Sequence, residues 1–277
     1  METMAHSDSK EAPRSWSFYA PSYARILRTF RNGPGLVAAH HRRADCDRAV
    51  LWNGEVIENL PGRSGFVNTI VEIWGVQAYA APEFYRPKND DVIIDLGANL
   101  GLFARWALHC APRARISAFE PFPENVPMLR RNVAAYGATV KVYPFAVGAR
   151  SGESTMIDGG ASISHQLGAS GMGPKVKVVT LREALDLTGS SDIDFVKMDI
   201  EGSEHDIFAE LIEPELLGRI KHIAVEYHDH LRPGTLKLVR ERLAPTHREV
   251  SVEHSGQGYG LILASLKAMP GIVRQIP

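Results

Sequence analysis

The run Asp90-Asp91-Val92-Ile93-Ile94-Asp95-Leu96-Gly97-Ala98-Asn99-Leu100-Gly101 constrains this chain more than any other part of it. Its apolar centre is β-branched and too short for a stable helix, and it breaks at an acid followed by small, turn-forming residues. An apolar helical pattern then begins, from Leu102 to His109. The reading is a buried strand, a tight turn and a helix start. Glycine at positions 97 and 101 lets the backbone bend sharply and lets a ligand come close. In open α/β sheets, the carboxyl edge of such a strand is where nucleotides bind.

Spacing separates the nucleotide classes. A dinucleotide fingerprint needs G-x-G-x-x-G, and a phosphate loop needs Gly-Lys-Ser/Thr. Here Gly97, Asn99 and Gly101 alternate, and neither a third glycine nor a Gly-Lys pair opens the helix. A nicotinamide-dependent oxidoreductase is therefore the weaker reading. The next strand, Arg115 to Glu120, ends in a carboxylate about 20 residues past the turn, the distance at which an acid reaches ribose hydroxyls. Phe122 follows Pro121 at the head of a helix carrying Val126, Leu129 and Val133, where its ring can lie against an adenine or anchor the core.

The 277 residues suit one α/β domain, 88–277, behind an N-terminal extension, 1–87. Lysine plus arginine number 31 against 32 acids, a net charge of −1, so there is no global electrostatic case for nucleic acid. A small-molecule target is expected. Two cysteines, Cys46 and Cys110, exclude a disulfide scaffold and a cysteine-based zinc site. The polar start from Met1 to Pro13 lacks the order of a secretion signal, and no apolar run approaches a membrane span, so a soluble cytoplasmic protein is expected.

In the extension, Trp16, Phe18, Tyr19, Tyr23 and Phe30 sit among Arg25, Arg28 and Arg31. Ring packing on the domain is expected ahead of oligomer contact, with partner chains and membrane surfaces behind. Asn53-Gly54 signals a hairpin, and Val67, Ile70, Val71 and Trp74 recur at helical spacing, so this segment is expected to cover one side of the site. Beyond it the pattern alternates as a doubly wound, mostly parallel sheet should. Val140–Tyr143 reads as a strand, Ser151 to Gly173 as a hairpin or mobile loop whose part from Gly159 to Gly173 is expected to act as a lid with His165 near its tip, and Leu181–Leu187 as a helix. Ile193–Asp199 is a central strand, Asp206–Leu211 a helix, His222–Tyr227 a further strand, and the tail a closing β-hairpin.

A second constellation repeats the logic of the first. Phe195-Val196-Lys197-Met198-Asp199-Ile200-Glu201-Gly202-Ser203-Glu204 is an apolar strand ending in an acid, then a glycine, then a helix. Ile223 to His230 closes its strand with Glu226, His228 and His230. Neighbouring strands lie about 5 Å apart, so Asp199 and Glu226 can converge at one mouth of the sheet.

Together, Asp95-Leu96-Gly97-Ala98-Asn99-Leu100-Gly101, Phe119-Glu120-Pro121 and Lys197 to Glu204 resemble, in order and spacing, the FkbM family of methyltransferases. The likeness runs from about Glu72 to Ser265. It implies the class I methyltransferase fold, S-adenosylmethionine as cofactor, and a hydroxyl on a sugar, glycolipid or polyketide as acceptor. Carried over, Asp95, Gly97, Asn99 and Gly101 would hold the methionine part of the cofactor and Glu120 its ribose. Ala146 and Phe122 would lie near the adenine, and Asp199 beside the transferred methyl.

An alcohol is a poor nucleophile until a base takes its proton or a divalent metal lowers its pKa. Asp199 and Glu226 offer hard oxygen ligands suited to magnesium or manganese, with His228 as base or further ligand. A nitrogen acceptor is the alternative within methyltransferases. Glu204 reads as helix N-terminal charge, and Glu201 stays open between that and a site role.

Overall fold

The computed structural model describes residues 16–267, apart from 82, 159–164, 169–172 and 211. The main sheet has seven strands: β1 (Val92–Leu96), β2 (Arg115–Phe119), β3 (Val140–Tyr143), β4 (Ile193–Met198), β5 (Ile220–His228), β6 (His247–His254) and β7 (Tyr259–Leu266). Their order across the sheet is β6-β7-β5-β4-β1-β2-β3. β3, β2, β1, β4 and β5 run parallel, while β7 lies antiparallel between β5 and β6. The expected doubly wound sheet and its closing hairpin are both present.

Alternation along the strands divides the core. Ile93 and Phe195 face one side, Ile94 and Val196 the other, as the two-residue period of a strand requires. On the second side the strands pack on helices Leu181–Asp186, Ser203–Ala209 and Thr235–Leu243. On the first, helix Leu102–Cys110 shares its core with the N-terminal segment, through Tyr23, Ile26, Phe30, Ile57, Trp74 and Tyr79. The inward rings Tyr23 and Phe30 are buried, as ring packing predicts.

That segment consists of helices Trp16–Thr29 and Gly33–His41, a hairpin of Arg48–Val50 and Val56–Glu58 turning at Gly54, and helix Phe66–Ile70. The helical run expected through Trp74 changes character, because a π-turn takes over at Val71–Val76 and a 3₁₀ turn follows at Ala78–Ala80. Such π-turns concentrate at functional sites. A second, four-stranded sheet lies beside the cleft: Phe145–Gly148, Gly152–Asp158, His165–Gly168 and Lys175–Thr180. Gly152–Asp158 and His165–Gly168 pair antiparallel, so the serine- and glycine-rich stretch forms a hairpin. His165 sits in its second strand, and the rest of the expected lid lies largely outside the described residues.

One helix starts earlier than its sequence suggests, at Ser203 rather than Asp206. The Glu204 carboxylate accepts the N–H groups of Ile200 and Gly202 at 2.8 and 2.7 Å, which pins the turn ahead of the helix. An acid at a helix start is favoured by the exposed N–H groups there.

Candidate active site

Strand register brings the site together. Leu96 pairs with Phe119 and with Met198, and Met198 pairs with Val225. One residue further on, Gly97 stands beside Glu120, and Asp199 beside Glu226. The mouth of the sheet thus collects residues at the carboxyl ends of four strands.

The glycines of the first turn serve backbone packing as much as ligand approach. A Cβ on Gly97 would come within 1.8 Å of the Asp199 carbonyl oxygen, and φ there is +78°. A Cβ on Gly101 would meet Leu129 Cδ1 at 2.6 Å, so Gly101 lets helix Asn125–Val133 close on the turn. Between them Asn99, itself left-handed at φ +50°, donates its N–H to Glu120 at 2.7 Å. The other Glu120 oxygen accepts the Phe122 N–H at 2.9 Å and Asn125 Nδ2 at 3.3 Å. Burial pushes the Glu120 carboxyl up to about 7 against the pull of these hydrogen bonds.

A cleft opens above this turn. Gly97, Ala98, Asn99, Glu120 and Ala146 line one part, and Lys197, Asp199, Glu201 and Glu226 another. Thr69, Glu72, Ile73 and Tyr79 of the N-terminal segment form a facing wall.

Three residues expected to touch the cofactor do not line this cleft: Asp95, Gly101 and Phe122. Asp95 is wholly buried below the turn, with Lys197 Nζ 3.3 Å from its carboxylate. Phe122 packs with Ala146, Met156, Val176 and Val178, its core-anchor alternative.

The acids expected to converge do converge. One ligand atom each from Asp199, Glu226 and His228 lie within 4.8 Å of one another. Lys197 Nζ stands 3.3 Å from both Asp95 and Asp199 and donates to the Gly97 carbonyl at 3.1 Å, tying the first turn to the second. Burial opposes its charge, but Asp199 and Asp95 outweigh burial and raise its pKa. His228 is buried behind the acids, with Nδ1 3.2 Å from Glu204 and Nε2 3.6 Å from Glu201 and 3.9 Å from Glu226. Burial pulls its pKa down, yet Glu204 with Asp199 and Glu201 prevails and holds it near about 10. His228 does not line the cleft. His230 contacts the Gly258 carbonyl at the surface, and His205 lies 3.2 Å from the Thr235 hydroxyl.

Crowded carboxylates raise one another. Burial and then the Asp199 charge push Glu201 up to about 8 and Glu72 up to about 7. Burial, Asp199 and Glu72 lift Glu226 well above the usual carboxylate range. Glu72 and Tyr79 escaped the sequence reading. Glu72 is the one charged residue between Arg63 and Glu83, and that isolation was the available signal. Tyr79 is buried in its ring, makes no hydrogen bond among the described residues, and lines the cleft beside Lys197, whose Nζ lies 5.8 Å from the ring centroid.

Comparison with known proteins decides the lineage of this arrangement. The sequence model of the FkbM methyltransferase domain matches residues 95–254. The chain belongs to the FkbM methyltransferase family. It is an S-adenosylmethionine-dependent methyltransferase, and its sheet has the class I methyltransferase layout. It is similar to the hexuronic acid methyltransferase AglP of Haloferax volcanii, 24% identical over 184 residues, covering 63% of this chain and 74% of AglP. It is similar to the 2-O-methyltransferase NoeI of Sinorhizobium fredii, 29% identical over 172 residues, covering 54% of this chain and 69% of NoeI. It also matches the AMB antimetabolite synthetase AmbE of Pseudomonas aeruginosa, 25% identical over 200 residues, 57% of this chain but 9% of that protein.

Proposed function

We propose that this FkbM-family enzyme methylates a hydroxyl of a small acceptor, a sugar, glycolipid or polyketide-type natural product. The observation that carries the reading is the convergence of Asp199, Glu226 and His228 at the cofactor cleft. The hexuronic acid and 2-O acceptors in the names of AglP and NoeI support it.

Bound S-adenosylmethionine supplies an electrophilic methyl on a positively charged sulfur. Gly97, Ala98 and Asn99 would hold it by backbone approach, Glu120 would accept its ribose hydroxyls, and Ala146 would border the base. Asp199 and Glu226 would face the acceptor, and Glu226, which lines the cleft beside Asp199, would take the hydroxyl proton. Lys197 orients Asp199 and balances part of the acidic charge.

The same donor set fits a divalent cation. Asp199 and Glu226 would hold magnesium or manganese, with His228 as third ligand after losing its proton, and the cation would lower the hydroxyl pKa. Burial first and then mutual repulsion raise the pKa values of Glu201 and Glu226, and a cation would relieve the repulsion. An amine acceptor is the second reading, favoured by the acidic wall. That wall would also keep an ammonium protonated and unreactive, which is why the hydroxyl is preferred.

The test is turnover on hexose and hexuronic acid acceptors before and after chelation, with S-adenosylhomocysteine affinity measured in parallel. The expected result is loss of turnover, recovery with magnesium or manganese, and unchanged S-adenosylhomocysteine binding. Undiminished turnover in excess chelator would remove the cation from the account.

A further inference from the structure

Residues 12–44 contain six arginines and no acid, in a chain whose net charge is −1. Three of these arginines, Arg25, Arg28 and Arg31, lie on a built surface. In helix Trp16–Thr29 the positions Ser22, Tyr23 and Ile26 are buried, while Arg25, Leu27 and Arg28 face outward, and Arg31 follows on the exposed side.

The hairpin is stitched to the end of this helix. Arg31 N–H donates to the Val50 carbonyl at 2.7 Å, Trp52 N–H to the Thr29 carbonyl at 3.3 Å, and the Trp52 indole N–H to the Leu27 carbonyl at 3.4 Å. Trp52 is thereby fixed at the hairpin turn with 63% of its surface exposed, beside Leu27 at 43%. Val76, next to the Gly75 carbonyl that Arg25 donates to, is exposed as well. Three of the four exposed large apolar side chains among the described residues thus lie on this segment, so they are not scattered.

The acids nearest Arg28 and Arg31 have partners of their own. Glu55 pairs with Arg105, Glu58 with Arg131, and Asp45 accepts the backbone N–H groups of Gly65 and Val67. Arg28 and Arg31 make no ion pair among the described residues.

We propose that this face docks the enzyme on an anionic lipid surface, with Trp52 and Leu27 entering the headgroup layer and Arg28 and Arg31 meeting lipid phosphates. Clustered basic residues attract anionic leaflets, and a tryptophan with an apolar ring and a polar N–H suits the interface. A nucleic-acid face would need the same positive charge. The aliphatic neighbours Leu27 and Val76 favour lipid, because they have nothing to stack on or bond with in a phosphate backbone. The face also adjoins the site: Phe30 packs on Trp74 with ring centroids 5.0 Å apart, in the same π-turn that carries Glu72 and Ile73 to the cleft. Docking would hold that wall of the cleft near the membrane, where an amphiphilic acceptor resides.

The experiment is sedimentation of the full chain with vesicles of about two parts phosphatidylcholine to one part phosphatidylglycerol, against phosphatidylcholine alone, at moderate salt. Binding is expected to the anionic vesicles only. Arg28→Gln with Arg31→Gln should weaken it by about thirtyfold, at about fivefold per arginine near a charged surface. Trp52→Ala should weaken it at every salt concentration, whereas raising salt should act through the arginines. Both variants should keep the wild-type melting transition and S-adenosylhomocysteine affinity, which separates loss of docking from loss of fold. Equal binding to neutral vesicles, no binding to anionic ones, or wild-type binding by the double variant would overturn the proposal. So would an RNA or duplex DNA oligonucleotide that binds more tightly than the vesicles and displaces them.

Discussion

Glu120→Gln isolates the contact on which cofactor binding is argued to turn. In the wild type both carboxylate oxygens meet backbone N–H groups, from Asn99 and Phe122, and the side chain still borders the cleft. Glutamine keeps one acceptor oxygen and sets an NH₂ against one of those N–H groups. It also removes the charge that ribose hydroxyls would meet. Hydrogen bonds to a charged group contribute ~1.5–3 kcal/mol, so S-adenosylhomocysteine affinity should fall by one to two orders of magnitude. The pH dependence is more specific. Ribose hydroxyls donate to the ionised carboxylate, so ligand binding lowers a pKa that stands at about 7 in the free protein. Wild-type affinity should therefore rise with pH up to about 7 and then level off, whereas the variant should lack this component. Folding has the opposite sign, because a carboxyl whose folded pKa is raised gives stability that is fully present below pH 4.5 and is lost as pH approaches 7. Calorimetric titration across this range checks both statements. Equal affinities for wild type and variant, with the same pH profile, would remove Glu120 from the cofactor site.

Gly97→Ala should lose stability, since its Cβ would lie 1.8 Å from the Asp199 carbonyl oxygen. Overpacking costs ~1–3 kcal/mol and the left-handed backbone adds ~1–2, so a wild-type denaturant midpoint would contradict the packing argument. Lys197→Met strands the wholly buried Asp95 without its cation, a change that typically costs ~3–5 kcal/mol. Adding Asp95→Asn should recover part of that loss in the double variant, and no recovery would show that the pair is not the cause. Glu72→Gln and Tyr79→Phe should raise the acceptor KM while leaving S-adenosylhomocysteine affinity unchanged, because both sit on the wall facing the glycine turn. Weakened cofactor binding with unchanged acceptor KM would reverse that assignment.

The parts of the fold that depend on local pattern were legible in the chain. β1, its glycine turn and Glu120 follow from a β-branched run ending in small residues and from the distance to the next acid. The meeting of Asp199 and Glu226 follows from two strands that each end in an acid, and the register confirms their adjacency. What local pattern could not reveal is direction. Asp95 occupies a conspicuous motif position, but strand alternation turns it into the core toward Lys197. His228 reads as a base or further metal ligand at the sheet edge two residues past Glu226, yet β5 extends to include it and buries it, with Nδ1 3.2 Å from Glu204 of another element. Glu72 and Tyr79 reach the cleft only because the N-terminal segment folds back over helix Leu102–Cys110, a long-range contact with no periodic signature.

Asp199 and Glu226, at the carboxyl ends of β4 and β5, are proposed to activate an acceptor oxygen beside the cofactor turn. The most direct measurement supplies S-adenosylmethionine carrying a trideuterated methyl group, with hexose and hexuronic acid acceptors, and locates the label by mass spectrometry. Label on a hydroxyl oxygen is the predicted outcome, with turnover reduced by about 10²–10⁴ in Asp199→Asn and Glu226→Gln variants that still bind S-adenosylhomocysteine as the wild type does. Label on nitrogen, or wild-type turnover in both variants, would contradict the account.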